Sequence, residues 1–299
     1  MMMRKHGLSS DKVLDATLVN AGMGEDLFWA IRGGGGGNFG IVLSWKVQLV
    51  QVPSTVVAFN IAKTAEQGAV DILTKWQDVA PSLPSDITLR VIVRGQQAMF
   101  QALYLGGCGS LVAMMEDQFP ELGMTSADCQ PMSWAQSAAT PFLSFGRNGT
   151  LEEALLNRTT SLSRSNKGKS DYVRRAIPKA AWEDIFPWFA RVHPAGAPRR
   201  YIVTWPKEGG DGGTAATAWI EGLYELMGRH VSKNPRRAYV NFRDLDIGQN
   251  DEVAGGTFEG GAAWGERYFV GNYRRLAAVK AAVDPTNYFR NEQSIPPLR

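Results

Sequence analysis

A chain of 299 residues, 44% of them hydrophobic and 20% charged, has the apolar material for a sizeable core, roughly two domains by length, and is not a disordered polymer. Its 32 basic residues nearly balance 29 acidic ones for a formal charge of +3, and no basic stripe interleaved with aromatics occurs, so nucleic acid is not an expected partner. No apolar run is long enough to span a bilayer, which sets membrane partners aside, and Met1-Met2-Met3-Arg4-Lys5-His6 carries charge without the apolar stretch of a secretory signal.

Taken in order, Gly7-Leu8-Ser9-Ser10-Asp11 reads as a turn and Val13 to Val19 as a strand, which so near the start needs a pairing partner upstream that this sequence does not supply. Gly24-Glu25-Asp26 then places acidic residues at the first turn of a helix with Leu27, Phe28 and Ile31 three to four apart. Five consecutive glycines, Gly33 to Gly37, separate that helix from a segment in which Ile41, Leu43, Trp45, Val47 and Leu49 alternate with Val42, Ser44, Lys46, Gln48 and Val50. The alternation predicts a strand with one well-buried face. Gly35, Gly37 and Gly40 satisfy GxGxxG, but a dinucleotide site needs its glycines between a strand and the N-terminus of the next helix. Here the order is helix, loop, strand, which disfavours a nicotinamide-type Rossmann turn. Glycine is costly to order, and two readings of the five stay open: a ligand-free turn, or a loop that brings backbone close to a cofactor.

Pro53 closes the strand and marks a domain boundary. Val56 to Ile61 begins a β-branched run. A helix from about Ala65 to Val79 carries Val70, Leu73, Trp76 and Val79 and stops at Pro81 and Pro84. Leu89 to Arg94 and Phe100 to Leu105 read as strands joined by a Gly95-Gln96-Gln97 turn, and Ser110 to Glu116 as a helix. Strand pairs alternating with helices make an α+β domain. Cys108 and Cys129 either pair or stay buried thiols, and with His6, His193 and His230 scattered singly they form no metal-ligand spacing, so a metal-free protein is expected. Trp134, Phe142 and Phe145 are core candidates before they are pocket candidates. Asn148-Gly149-Thr150 and Asn157-Arg158-Thr159 have the spacing of glycosylation acceptors. Lys167 to Tyr172 reads as loop, Ala181 to Phe189 as an amphipathic helix, Arg191 to Arg200 as an irregular Pro- and Arg-rich stretch, and Tyr201 to Trp205 as a strand. After a turn at Gly209 to Gly213, Thr214 to His230 is a helix with Ala218, Leu223, Leu226 and Met227 on its apolar face. Tyr273, Leu276, Val279 and Val283 lie at helical spacing, and Asp284-Pro285 ends that helix.

Tyr239-Val240-Asn241-Phe242-Arg243-Asp244-Leu245-Asp246-Ile247-Gly248, followed by Trp264 to Phe269, Asn272 to Leu276, Lys280 and Asp284 to Pro297, closely resembles the C-terminal signature of plant berberine bridge enzyme-like flavoproteins. The glycine stretch, GEDLFWAIRGGGGGNFGIV, resembles the end of that family's FAD-binding domain, and Phe119 to Gly123 and Lys169 to Tyr172 are similar to its middle. The resemblance implies an α+β fold in three parts. Residues 1–53 would be the C-terminal remainder of a PCMH-type FAD-binding domain, 54–235 a substrate domain with an antiparallel sheet flanked by helices, and 236–299 a segment returning to the FAD domain. It implies FAD as cofactor, with Gly36, Gly37, Asn38, Gly40 and Ile41 toward its adenine and pyrophosphate side and Tyr239 and Asn241 near the isoalloxazine ring. The implied reaction oxidises an alcohol or specialised metabolite: flavin N5 accepts hydride, a base takes the hydroxyl proton, and oxygen or another acceptor reoxidises the flavin. The implied substrate is a small molecule and the implied location secreted or cell wall.

Against that template the chain departs in four places. It begins downstream of the segment holding the His and Cys tethers of covalent FAD, and neither Cys108 nor His6 takes that role. A turn is shortened between Ala21 and Met23, and pocket residues are lacking around Val192 to Arg200. Phe242 stands where many members have a tyrosine whose hydroxyl can move a proton. The departures leave a second expectation beside the first, an inactive truncated remnant of the fold that binds FAD weakly or not at all.

Overall fold

The computed structural model describes residues 2–22, 26–139, 156, 164–190, 202–206, 212–250 and 256–298. In chain order its elements are α1 (Met3–His6), β1 (Val13–Val19), α2 (Leu27–Gly34), β2 (Ile41–Val47), β3 (Val56–Thr64), α3 (Ala69–Ser82), β4 (Ile87–Arg94), β5 (Gln97–Tyr104), α4 (Cys108–Gln118), β6 (Gln130–Met132), α5 (Trp134–Ala139), β7 (Arg164–Gly168), α6 (Lys179–Ile185), β8 (Ile202–Pro206), α7 (Gly212–Met227), α8 (Phe258–Phe269) and α9 (Tyr273–Val283). They divide into two units, one of Met1–His6, Val50–Lys167 and Arg175–His230, the other of Gly7–Leu49, Gly168–Arg174 and Val231–Arg299. The expected Phe142, Phe145, Asn148, Asn157 and Arg191 to Tyr201 features lie outside the described residues, as do Met23 to Glu25.

The first unit is built on an antiparallel sheet of order β4-β5-β3-β6. β3 and β5 pair in register from Val57↔Tyr104 to Thr64↔Gln97, and β4 and β5 from Ile87↔Tyr104 to Arg94↔Gln97. Period 2 sends Val57, Phe59 and Ile61 into one core, with Leu73, Phe100, Leu111, Met115 and Phe119, while Val56 and Ala58 meet Leu103, Met132 and Trp134 on the other face. Two buried faces explain why β3 reads as a continuous apolar run. α3 starts at Ala69, not Ala65. Thr64 and Gln67 bond each other's backbone N–H through their side chains, and Gly68 has φ +77°, so the chain turns before the helix can begin. Pro81 lies within its last turn. Cys108, at the start of α4, and Cys129 are joined in a disulfide, which decides what spacing left open. On α7 the buried face is Ala216, Trp219, Ile220, Leu223 and Met227; Ala218 is exposed, so the apolar stripe is rotated from the expected one.

The second unit packs α2 with α8, α9 and the tail. Ala30, Ile31 and Phe39 share a core with Trp264, Tyr273, Leu276, Val279, Val283 and Ile295. The glycines of α8 hide it from any reading by periodicity, and packing is the reason they are there. A Cβ at Gly261 or Gly265 would collide with the Tyr273 ring, which lies buried against the helix and donates its hydroxyl to Phe258 O at 3.0 Å.

β1 and β2, with α2 and the glycine turn between them in the chain, pair antiparallel from Val13↔Val47 to Val19↔Ile41, with irregularities at Val13/Asp15 and Thr17/Leu18. The expected buried face is a correction: Ile41, Leu43, Trp45, Val47 and Leu49 are 57%, 63%, 42%, 46% and 86% exposed. The alternation is real, but the face it builds meets solvent. From this strand pair, Ala16 is among the residues that pack against the core shared with α2.

Candidate functional site

The glycine stretch divides by cause. Gly33 and Gly34 close α2, and Gly34 is glycine because a Cβ there would press on Leu276, Phe39 and Ile295 at 3.0–3.1 Å. Gly35 turns the chain at φ +85°, a conformation that side chains resist. Gly36–Asn38 is a 3₁₀ turn, with Asn38 N–H donating to Gly35 O at 3.3 Å and Phe39 N–H to Gly36 O at 3.0 Å. A Cβ on Gly36 would strike Val42, and one on Gly40 the carbonyl of Val19. Gly33 and Gly37 are different. Among the described residues a Cβ on either would meet nothing within 4 Å, and neither is in the left-handed region, so no contact with them and no backbone strain accounts for glycine there.

Asn38 is buried, 6% exposed, and its side chain is engaged inside the protein: Nδ2 donates to Gly34 O, and Oδ1 accepts from Ile295 N–H at 3.0 Å. Its carbonyl accepts from Lys280 Nζ at 2.6 Å. Asn38 and Gly40 therefore shape the loop from within, Gly36 is half-buried, and Gly37 and Ile41 are exposed. Lys280, in the last turn of α9, and Asp284, the residue that caps its C-terminus, are both fully buried and paired at 2.6 Å. Burial pushes the Lys280 ammonium down, and Asp284 only partly offsets this. Burial pushes the Asp284 carboxyl up, but the Lys280 ammonium and the backbone N–H groups of Phe289 and Tyr288 outweigh it and hold it below the usual 3.8. The pair escaped the sequence reading, although a lysine in phase with Tyr273, Leu276 and Val283 was a signal that it faces the core.

Tyr239, Asn241 and Phe242 lie on turns before a 3₁₀ segment at Leu245–Ile247. Tyr239 is 41% exposed; Asn241 Nδ2 donates to its hydroxyl at 2.8 Å, and the Phe242 ring stands 5.7 Å from its ring. The scaffold beneath is polar, with Lys169, Asp244 and Gln293 buried in it. Lys169 pairs with Asp244 at 3.0 Å and with Asp246, and Ser170 Oγ accepts from Tyr239 N–H at 2.8 Å. Burial works against the Lys169 charge, yet its two carboxylates leave its pKa above 10.5. Burial also pushes the Tyr268 hydroxyl up, and it donates to Gln293 Oε1 while accepting from Asp244 N–H. Gln293 in turn donates to Asp244 O and Gly248 O. The tail Asn291–Ile295 thus holds both sequence-expected parts, the Asp244–Gly248 end of the Tyr239 segment through Gln293 and the glycine loop through Ile295.

Comparison with known proteins gives the same answer from three directions. The family described as Berberine and berberine like matches residues 238–296. Berberine bridge enzyme-like Cyn d 4 of Cynodon dactylon is 46% identical over 100% of this chain and 63% of its own length, so the chain spans about 63% of that relative. The alignment is longer than this chain, so the relative has stretches with no counterpart here. The solved structure of Phl p 4, a grass pollen allergen with glucose dehydrogenase activity, matches with a TM-score of 0.92 and 43% identity over 100% of this chain and 68% of that one. A berberine bridge enzyme variant described as a reticuline dehydrogenase matches at 0.89 and 35% identity, over 99% and 68%. With an α+β fold, the glycine loop and the Tyr239–Gly248 segment held by one tail, and whole-chain likeness to these proteins, the chain belongs to the berberine bridge enzyme-like family.

Proposed function

We propose that this chain carries part of the FAD site of an oxidoreductase that oxidises an alcohol or related small metabolite. The observation that carries the reading is the open ground at Gly33 and Gly37, two glycines without internal cause in a loop whose other glycines are all explained by packing or φ. Glycine at such points lets a flat ligand approach the backbone. FAD, when bound, supplies the hydride acceptor. In this chain the backbone of Gly36, Gly37 and Ile41 would border its adenine and pyrophosphate side, with Asn38 and Gly40 shaping the loop, and Tyr239 and Asn241 would line the ring side. Phe242 adds apolar surface there but no exchangeable proton, so it is not the base. The glucose and reticuline dehydrogenase activities of the relatives support a hydroxylated or otherwise activated small molecule as substrate, and a secreted or cell-wall location goes with the family reading.

The test is a flavin titration of the purified chain, followed by fluorescence. The reading expects saturable FAD binding, weakened about tenfold or more by Gly37→Ala with the melting temperature unmoved. Equal binding by wild type and variant would remove Gly37 from the site. A second reading, the fold retained with little or no flavin binding, is favoured by the solvent-exposed apolar face of the β1–β2 pair; a colourless chain that rebinds no FAD would establish it.

A further inference from the structure

Lys280 sits on the face of α9 that carries Tyr273, Leu276, Ala277 and Val283 into the core, and it is fully buried with them. A lysine there spends all three of its N–H groups on oxygen: Asp284 Oδ2 at 2.6 Å, Phe289 O at 2.7 Å and Asn38 O at 2.6 Å. The last contact spans 242 residues of sequence and ends on the glycine loop.

We propose that Lys280 is the positioning residue of that loop. The Asn38 carbonyl and the Phe39 N–H belong to one peptide group. Lys280 fixes its oxygen side, and Gly36 O accepts from its nitrogen side at 3.0 Å. A planar peptide held at both ends cannot rotate, so the 3₁₀ turn Gly36–Asn38 is locked and Gly37 is kept on its outer edge. Without the ammonium, the buried carbonyl has lost a donor and gains by turning toward water, which carries the Phe39 N–H off Gly36. The side chain of Asn38, tied to Gly34 and Ile295, limits where the loop can go but does not hold this peptide. The consequence for FAD rests on the function proposed above; the locking of the loop does not.

The experiment compares wild type with Lys280→Met and with Lys280→Met/Asp284→Asn, the double change removing the carboxylate that the single one leaves unpaired in the core. Hydrogen exchange is followed at the Asn38 and Phe39 amides and at the core of α8, alongside the FAD titration. Expected in the double variant is exchange at Asn38 and Phe39 faster by about tenfold or more, with α8 unchanged, and FAD affinity falling in parallel. Uniform acceleration across α8 and the loop would make Lys280 a structural residue only and overturn the proposal, as would unchanged loop exchange. Loop-specific acceleration in the double variant, together with a wild type that binds no FAD, would sustain the clamp and defeat the flavin reading instead.

Discussion

Gly37 and Gly40 stand three residues apart in one loop and are glycine for opposite reasons, the first without an internal neighbour and the second against the carbonyl of Val19. Gly40→Ala should therefore cost about 1–3 kcal/mol by forcing backbone apart, while Gly37→Ala should stay within about 0.5 kcal/mol of wild type, both read by urea unfolding. GxGxxG made the two look equivalent. The buried ion pair gives the second prediction at this scale. A carboxyl whose pKa is lowered on folding contributes stability that is present above its unfolded value and lost as pH falls through the folded one; for Asp284 that window lies below 3.8. Unfolding monitored in the second unit should grow steadily easier as pH drops below about 4, and Asp284→Asn should flatten that slope. A slope unchanged in the variant would assign the acid sensitivity elsewhere. Lys280→Met alone, by leaving Asp284 buried and unpaired, should cost about 3–5 kcal/mol. The four-residue spacing of Lys280 and Asp284 is local, but the partner on the glycine loop was not legible, since Lys280 meets Asn38 only once the tail is folded back.

At the scale of elements, the β1–β2 strand pair is the clearest case of a pattern read correctly and interpreted wrongly. Val13–Val19 and Ile41–Val47 are strands as alternation predicts, paired antiparallel, yet Leu43 and Trp45 face water. Period 2 states that one face is apolar; it does not say what covers it. Exposed Leu14, Val19, Ile41, Leu43, Trp45 and Val47 on a two-stranded sheet also leave strand edges open to pairing. The chain should self-associate with rising concentration. Leu43→Lys/Trp45→Lys should suppress this in sedimentation velocity while shifting stability by no more than about 0.5 kcal/mol per site; persistent association would locate the sticky surface elsewhere. Helices were legible where apolar spacing was uninterrupted, as in α9, and illegible in α8, whose glycines lower helix propensity but admit the Tyr273 ring.

Across the whole molecule, two units with cores of their own predict two transitions in calorimetry. The Cys108–Cys129 disulfide lies in the first unit and closes a sequence separation of 21, so Cys108→Ser/Cys129→Ser should lower that unit's stability by about 2–4 kcal/mol and leave the other transition in place. A shift of both transitions together would show the units melting as one. What the amino-acid order determined by itself was the local grammar: strands from alternation, a helix end from the Asp284-Pro285 stop, and the family from the run Tyr239–Gly248 with its tail. Those signals are short-range, carried by neighbours within a turn or two of chain. The disulfide, the exposure of the β1–β2 pair, the burial of Asn38 and the Lys280 clamp were decided only by tertiary structure, because each depends on residues far apart in sequence, or on what a face meets, which no local period encodes.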